Sequence, residues 1–198
     1  MPFVLASANP DKAAEIRALL EPLGIDLVAR PSEVPEVEET GVTLEENALL
    51  KAHALAQATQ LPAIADDTGL EIDGLGGAPG VYAARFAGEH ATYADNVAKV
   101  LADLVLSASG TEGRRARFAT VAAVAWPDGS ELTVRGEVEG VITDSPRGAS
   151  GFGYDPIFAP EGGGGRSFAE MSTAEKEAIS HRGRAFRLLA SSLADHLG

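Results

Sequence analysis

The sequence predicts an α/β protein built on a mixed sheet. Three observations carry that expectation. Short apolar runs alternate with helical stripes early in the chain, a long β-branched and apolar stretch from Arg115 to Trp126 meets a turn and then an alternating run, and the chain closes on an amphipathic helix. At 198 residues and 45% hydrophobic, the chain can bury a substantial core, and one domain over residues 1–198 is the simplest organisation.

The elements follow in order. Phe3-Val4-Leu5-Ala6 reads as a buried strand, and Ile16, Leu19, Leu20 and Leu23 keep the i, i+3, i+4, i+7 spacing of a helix face. A strand through Ile25–Ala29 comes next. Pro31 to Thr40 holds two prolines and four glutamates and reads as a loop. Thr43 and Glu46 have capping-box spacing, and the helix they open runs to about Gln60, because Pro62 forbids further extension. Leu61 to Ala65 forms the next strand, stopping where Asp66-Asp67-Thr68-Gly69 makes a turn. Gly74 to Gly80, with four glycines and Pro79, is too glycine-rich for regular structure. Val97, Val100, Leu101 and Leu104 mark a helix capped by Thr92. Arg115–Trp126, the turn Pro127-Asp128-Gly129 and the alternating Leu132, Val134, Val138 and Ile142 make a long antiparallel hairpin. A glycine-rich loop at Gly162–Gly165 precedes a terminal helix whose stripe is Phe186, Leu189, Ala190, Leu193 and Leu197.

Charge and composition narrow the function. A formal net charge of −13 argues against nucleic-acid and anionic-membrane partners, whose affinity rests on phosphate neutralisation by Lys and Arg. It leaves a small phosphorylated ligand open, because such a ligand answers to the few charges that line its site. There are no cysteines, which excludes disulfides, thiolate metal sites and a cysteine nucleophile. No apolar stretch approaches bilayer length, and the N-terminus lacks a basic region, so a soluble cytoplasmic protein is expected.

Four groups could carry chemistry. Ser7-Ala8-Asn9-Pro10-Asp11-Lys12 places an N-cap and a proline at a helix start, where free N–H groups, the Ser7 hydroxyl and Lys12 suit a phosphate; a well-capped helix with a solvated lysine explains the same residues. The carboxylates Asp66 and Asp67, with Glu38 and Glu39 in the acidic loop and Asn47 and Lys51 four apart on a helix, suit a magnesium ion shared with phosphate oxygens, or else are solvated acidic turns. Phe152-Gly153-Tyr154-Asp155 offers a stacking face and an acceptor, or an aromatic plug for the core. Lys176, Ser180, His181 and Arg182 gather cations near the start of the terminal helix, where they oppose the macrodipole unless a ligand or partner compensates.

Six pieces in collinear order, namely Ser7–Lys12, Glu38-Glu39-Thr40-Gly41 with Glu46-Asn47-Ala48 and Lys51-Ala52, Ala65–Leu70, Gly76–Gly80, Phe152–Pro156 and Ser180-His181-Arg182, resemble the inosine triphosphate pyrophosphatase family, its bacterial XTP/dITP diphosphatase branch in particular. The resemblance implies a long twisted mixed sheet with flanking helices in two lobes around a central cleft. It implies magnesium-dependent hydrolysis of deaminated purine nucleoside triphosphates (ITP, dITP, XTP) to the monophosphate and pyrophosphate, by a homodimer. Carried onto this chain, Ser7, Ala8, Asn9, Pro10, Asp11 and Lys12 bind phosphate, and Asp67 is both base and metal ligand. Glu38 is the second metal carboxylate with Glu39 its close rival. Thr68 touches substrate, while Phe152, Gly153, Tyr154, Asp155, Lys176, His181 and Arg182 serve the base. A nucleotide sensor without turnover, or a phosphatase of another class, would share some of these features; the haloacid-dehalogenase type separates its acidic residues by one position, whereas Asp66 and Asp67 adjoin.

Overall fold

The computed structural model describes residues 2–107 and 110–197, the side chain of Leu197 excepted, so that part of the expected terminal stripe lies outside the described residues. Among the described residues, seven strands form one mixed sheet in the order β2-β1-β3-β5-β6-β7, with β4 paired to β3. The strands are β1 (Phe3–Leu5), β2 (Leu27–Val28), β3 (Ala63–Ile72), β4 (Pro79–Gly80), β5 (Arg115–Ala125), β6 (Glu131–Ile142) and β7 (Phe158–Pro160). The helices are α1 (Pro10–Leu20), α2 (Leu44–Thr59), α3 (Tyr93–Ser107), α4 (Thr173–Ile179) and α5 (His181–Leu197). Strands β1, β2 and β3 are parallel, whereas β4 and β7 run antiparallel to β3 and β6. The expected mixed sheet is therefore present.

By its contacts the chain divides into two compact units. The first comprises the chain up to Asp67, Thr120–Gly136 and the chain from Arg182; the second comprises Thr68–Ala119 and Glu137–His181. In the first, Phe3, Leu5 and Ile64 meet Ile16 and Leu20 of α1 and Phe186, Leu189 and Leu193 of α5, with Ala122 and Val124 from β5. In the second, Leu70, Ile72, Phe118, Val138 and Ile142 pack with Val97, Val100 and Leu104 of α3 and with Phe158 and Phe168.

Local chemistry sets the helix ends. Asn9 accepts from the Asp11 and Lys12 amides, with Pro10 opening α1. Thr43 and Glu46 close the expected capping box on α2, which ends at Gln60. Thr92 accepts from the Asp95 amide ahead of α3.

Four expectations need correction. Strand β3 does not stop at Ala65: it runs through Asp66-Asp67-Thr68-Gly69 to Ile72, because both aspartates are buried against cations and the backbone stays in the ladder. The glycine-rich 74–80 segment contains β4, Leu70 pairing with Gly80 and Glu71 with Pro79. Helix α1 ends at Leu20, and Leu23 is exposed in a following 3₁₀ turn rather than on the core stripe. Lys176 lies in α4, which Ser180 separates from α5; it stands in the last turn of that short helix, where a cation suits the dipole.

Truncating a fully buried ring in the first unit tests this packing. Phe186→Ala is expected to cost about 3–5 kcal/mol of unfolding free energy, read as a lower denaturant midpoint with an unchanged slope.

Candidate active site

Alternation along β3 decides how two neighbouring carboxylates can both be buried. Successive side chains of a strand point to opposite faces, so Asp66 shares the face of Ile64, which packs with α1 and α5, and Asp67 takes the other. Each face brings its own cations. The Asp66 carboxylate accepts from Arg182 Nη2 at 3.3 Å and stands 3.5 Å from Lys12 Nζ. Arg182 also holds Glu15, one turn beyond Lys12 on α1, at 2.5 Å. Asp67 instead meets α2: Lys51 Nζ donates to its Oδ1 at 3.2 Å and Asn47 Nδ2 to its Oδ2 at 3.3 Å. Residues 47 and 51 are one turn apart, so a single helix face supplies both donors.

The acidic loop enters through Lys51. Its ammonium donates to Glu39 Oε1 at 2.7 Å while holding Asp67. Glu39, not Glu38, is thus the glutamate gathered with the aspartates; Glu38 is exposed. Asn47 ties the same loop down from its far end, its Oδ1 accepting from the Gly41 amide at 2.8 Å. A side chain at 41 would not fit, since a Cβ there would lie 2.6 Å from Asn47 Oδ1.

The two aspartates are tuned apart. For Asp66, burial is the largest influence and would raise the pKa, but Lys12, Arg182 and Lys51 together outweigh it and hold the carboxyl well below the usual range. For Asp67, burial prevails over Lys51 and Lys12, and Glu39 and Asp66 add repulsion, so its pKa is raised. Lys51 is raised as well: burial opposes its charge, yet Asp67, Asp66 and Glu39 more than offset that. The two neighbours are thus shifted in opposite directions, Asp66 down because its cations outweigh burial and Asp67 up because burial prevails.

The second unit holds a separate polar group. Asp155 is buried and accepts from the Phe152 amide at 2.8 Å and from Lys176 Nζ at 2.6 Å. That ammonium lies 4.9 Å from the centroid of the Phe152 ring and 5.8 Å from that of Phe168. Gly151 has φ +72°, and a Cβ there would strike the Asp155 carboxylate, so the loop requires glycine. His181 stacks on Phe118 with centroids 4.4 Å apart. Tyr154 is buried and donates to the Ala83 carbonyl at 2.8 Å, an anchor in the core.

The structure therefore assembles Lys12 and Asp67 in one unit and Phe152, Asp155, Lys176 and His181 in the other. Arg182 belongs to the first unit, where its guanidinium donates to Glu15 and Asp66. Asn9 caps α1, and Ser7 Oγ donates to the Asn9 carbonyl at 3.3 Å. Ala8, Pro10 and Asp11 are exposed at the helix start, and Thr68 follows Asp67 in β3. Glu15 had no signal beyond helical spacing, whereas the four-residue interval from Asn47 to Lys51 was visible.

The donor set suits a divalent cation. Glu39 and Asp67 aim one carboxylate oxygen each at the same ammonium, so this arrangement already brackets a positive charge, and magnesium needs only one or two carboxylates when phosphate oxygens and water complete its shell. Among the described residues no group of three or more His, Asp or Glu forms a protein-only metal cage.

Residues 3–192 match the profile of the Ham1 family. The chain is 50% identical to a dITP/XTP pyrophosphatase of Streptomyces avermitilis, covering 99% of this chain and 98% of that one, and 46% identical to a protein of the same name from Bacillus subtilis, covering 96% of each. It superposes on the structure of a HAM1 protein from Coxiella burnetii with a TM-score of 0.89 at 43% identity, covering 98% of this chain and 99% of that one.

Removing Arg182 takes one of its two cations from buried Asp66 and an ion-pair partner from Glu15. Arg182→Met is expected to cost about 3–5 kcal/mol. Because the folded-state pKa of Asp66 lies below its ordinary 3.8, its contribution to stability is full above that pH and fades as the pH falls toward the folded value. The loss caused by Arg182→Met should therefore shrink in acid; an equal loss at pH 7 and pH 3 would contradict the pairing.

Proposed function

Because the chain belongs to the Ham1 family, we propose that its Asp67–Lys51–Glu39 group is where a nucleoside triphosphate is hydrolysed. The protein is a nucleoside-triphosphate diphosphatase that converts deaminated purine nucleoside triphosphates (ITP, dITP, XTP) to the monophosphate and pyrophosphate, clearing them from the pool used for DNA and RNA synthesis. The observation that carries the site assignment is the division of labour between adjacent aspartates, one pinned by two cations and one raised in pKa beside a lysine.

Asp67 accepts the proton of the attacking water, and Asn47 and Lys51 fix which of its oxygens faces that water. Lys12 and the free amides at the start of α1 take phosphate oxygens, with Ser7 beside them. Glu39 replaces Glu38 as the partner of Asp67 in holding magnesium. The metal, when bound, neutralises charge on the phosphate oxygens and on the departing pyrophosphate. Phe152 and Lys176 serve the purine. The Lys176 ammonium, already held by Asp155, can donate to the 6-carbonyl of a deaminated base, whereas adenine's 6-amino group offers it no acceptor. Arg182 acts through Asp66 rather than on the base. The whole chain works as one catalytic domain and assembles as a homodimer. No helix among the described residues is long and apolar enough to cross a membrane.

Product identity across ITP, XTP, dITP, ATP and GTP tests the reading. Pyrophosphate should appear with the three deaminated substrates, and Asp67→Asn should lower its release by at least about a thousandfold, more than general-base loss alone, since a metal ligand goes with it. Near-parental release would remove Asp67 from this role. The acid limb of kcat/KM should lie above pH 3.8, since the raised carboxyl must be ionised to act. Lys51→Met removes the cation that opposes burial, so that limb should move to higher pH; a shift downward would be inconsistent with the assignment.

A further inference from the structure

The acidic loop that delivers Glu39 is held at both ends by side chains with no direct part in the reaction. At its start, Arg30 spreads one guanidinium over three backbone carbonyls: Nη1 donates to Ala6 at 3.2 Å, and Nη2 donates to Val34 at 2.8 Å and Pro35 at 2.6 Å. Ala6 immediately precedes Ser7 and the phosphate-binding segment. Arg30 therefore joins the end of β1 to the beginning of the glutamate loop. At the loop's other end, buried Asn47 accepts from Gly41 and donates to Asp67.

Both clamps demand their residue type. The Gly41 amide can only donate and an ionised Asp67 can only accept, so the residue between them must present one acceptor and one donor on a short side chain, which only asparagine does at this length. Three carbonyls in different directions match the fixed fork of a guanidinium. An ammonium on a flexible stem matches them poorly.

We propose that Arg30 and Asn47 are positioning residues for the hydrolytic reaction: they preset the 34–41 loop so that Glu39 reaches Lys51, the lysine that also holds Asp67, before nucleotide arrives. The inference rests on the reading of the Asp67 group as the hydrolytic site. Its consequence is kinetic. A loop that must be ordered at each binding event delivers its ligand late and off target, and small misplacements at a reacting centre are costly. Partners that orient metal-binding carboxylates typically change affinity or activity by about 10–100-fold when lost.

The test compares Arg30→Met, Arg30→Lys, Asn47→Asp and Asp67→Asn with the parent, using dITP turnover at varied Mg²⁺ and hydrogen exchange of the Val34, Thr40 and Gly41 amides. For Arg30→Met, exchange at Val34 and Thr40 should quicken by about tenfold or more while β3 and β5 amides keep their protection. The kcat/KM for dITP should fall by about tenfold, with a higher half-saturating Mg²⁺ concentration, and Arg30→Lys should recover only a minor part. Asn47→Asp keeps an acceptor for Gly41 and loses the donor to Asp67, so Gly41 protection should persist while kcat falls. Parental exchange and parental kcat/KM in Arg30→Met would overturn the inference. So would a change in only one of the two, because the proposal requires both. If Asp67→Asn abolishes turnover and Arg30→Met does not alter it, the clamp alone fails; if Asp67→Asn turns over normally, the hydrolytic reading itself fails.

Discussion

Two adjacent carboxylates in mid-strand, both almost wholly buried, impose the constraint from which the rest of this molecule can be derived. An uncompensated buried charge would be protonated or would unfold the strand, so each aspartate must meet cations on its own side. The pleat separates them, and helices on either face bring the partners: Lys12 and Arg182 for Asp66, Lys51 for Asp67. Four carboxylates, counting Glu15 and Glu39, surround three cations. An excess of carboxylates of this kind is a setting that suits a divalent cation shared with phosphate oxygens.

The same constraint separates roles that look identical in the sequence. Asp66 has two cations within 3.5 Å and is nearly sealed from solvent, so its charge is structural and permanent. Asp67 shares its lysine with Glu39, and that competition, added to burial, raises its pKa. The two environments thus act in opposite senses: cations outweigh burial at Asp66, and burial prevails at Asp67.

How much of this was legible in the sequence depends on the range of the interaction involved. Periodicity and caps located α1, α2, α3 and α5 and the β5 and β6 strands, because spacing and capping are local. The continuation of β3 through Asp66-Asp67 was not legible: Asp-Asp-Thr-Gly has turn composition, and only residues far away in the chain, Lys51 at 16 positions and Arg182 at 116, make it a strand. The ion pairs of Arg182 were illegible for the same reason, since its carboxylate partners come from β3 and α1. That Lys51 meets Glu39 depends on what a side chain 12 positions away can reach, and no local pattern encodes that. The resemblance to a known family carries distant contacts implicitly, but it did not reveal Arg30, whose three carbonyl partners leave no trace in side-chain identity.

The most direct test of the central claim is the position of the metal. Crystals of the protein with a non-hydrolysable dITP analogue and Mn²⁺ in place of Mg²⁺ would report it by anomalous scattering. The account predicts a peak within coordination distance of carboxylate oxygens of both Asp67 and Glu39, with phosphate oxygens among its ligands. A metal bound to the polyphosphate but coordinated by neither carboxylate would contradict it.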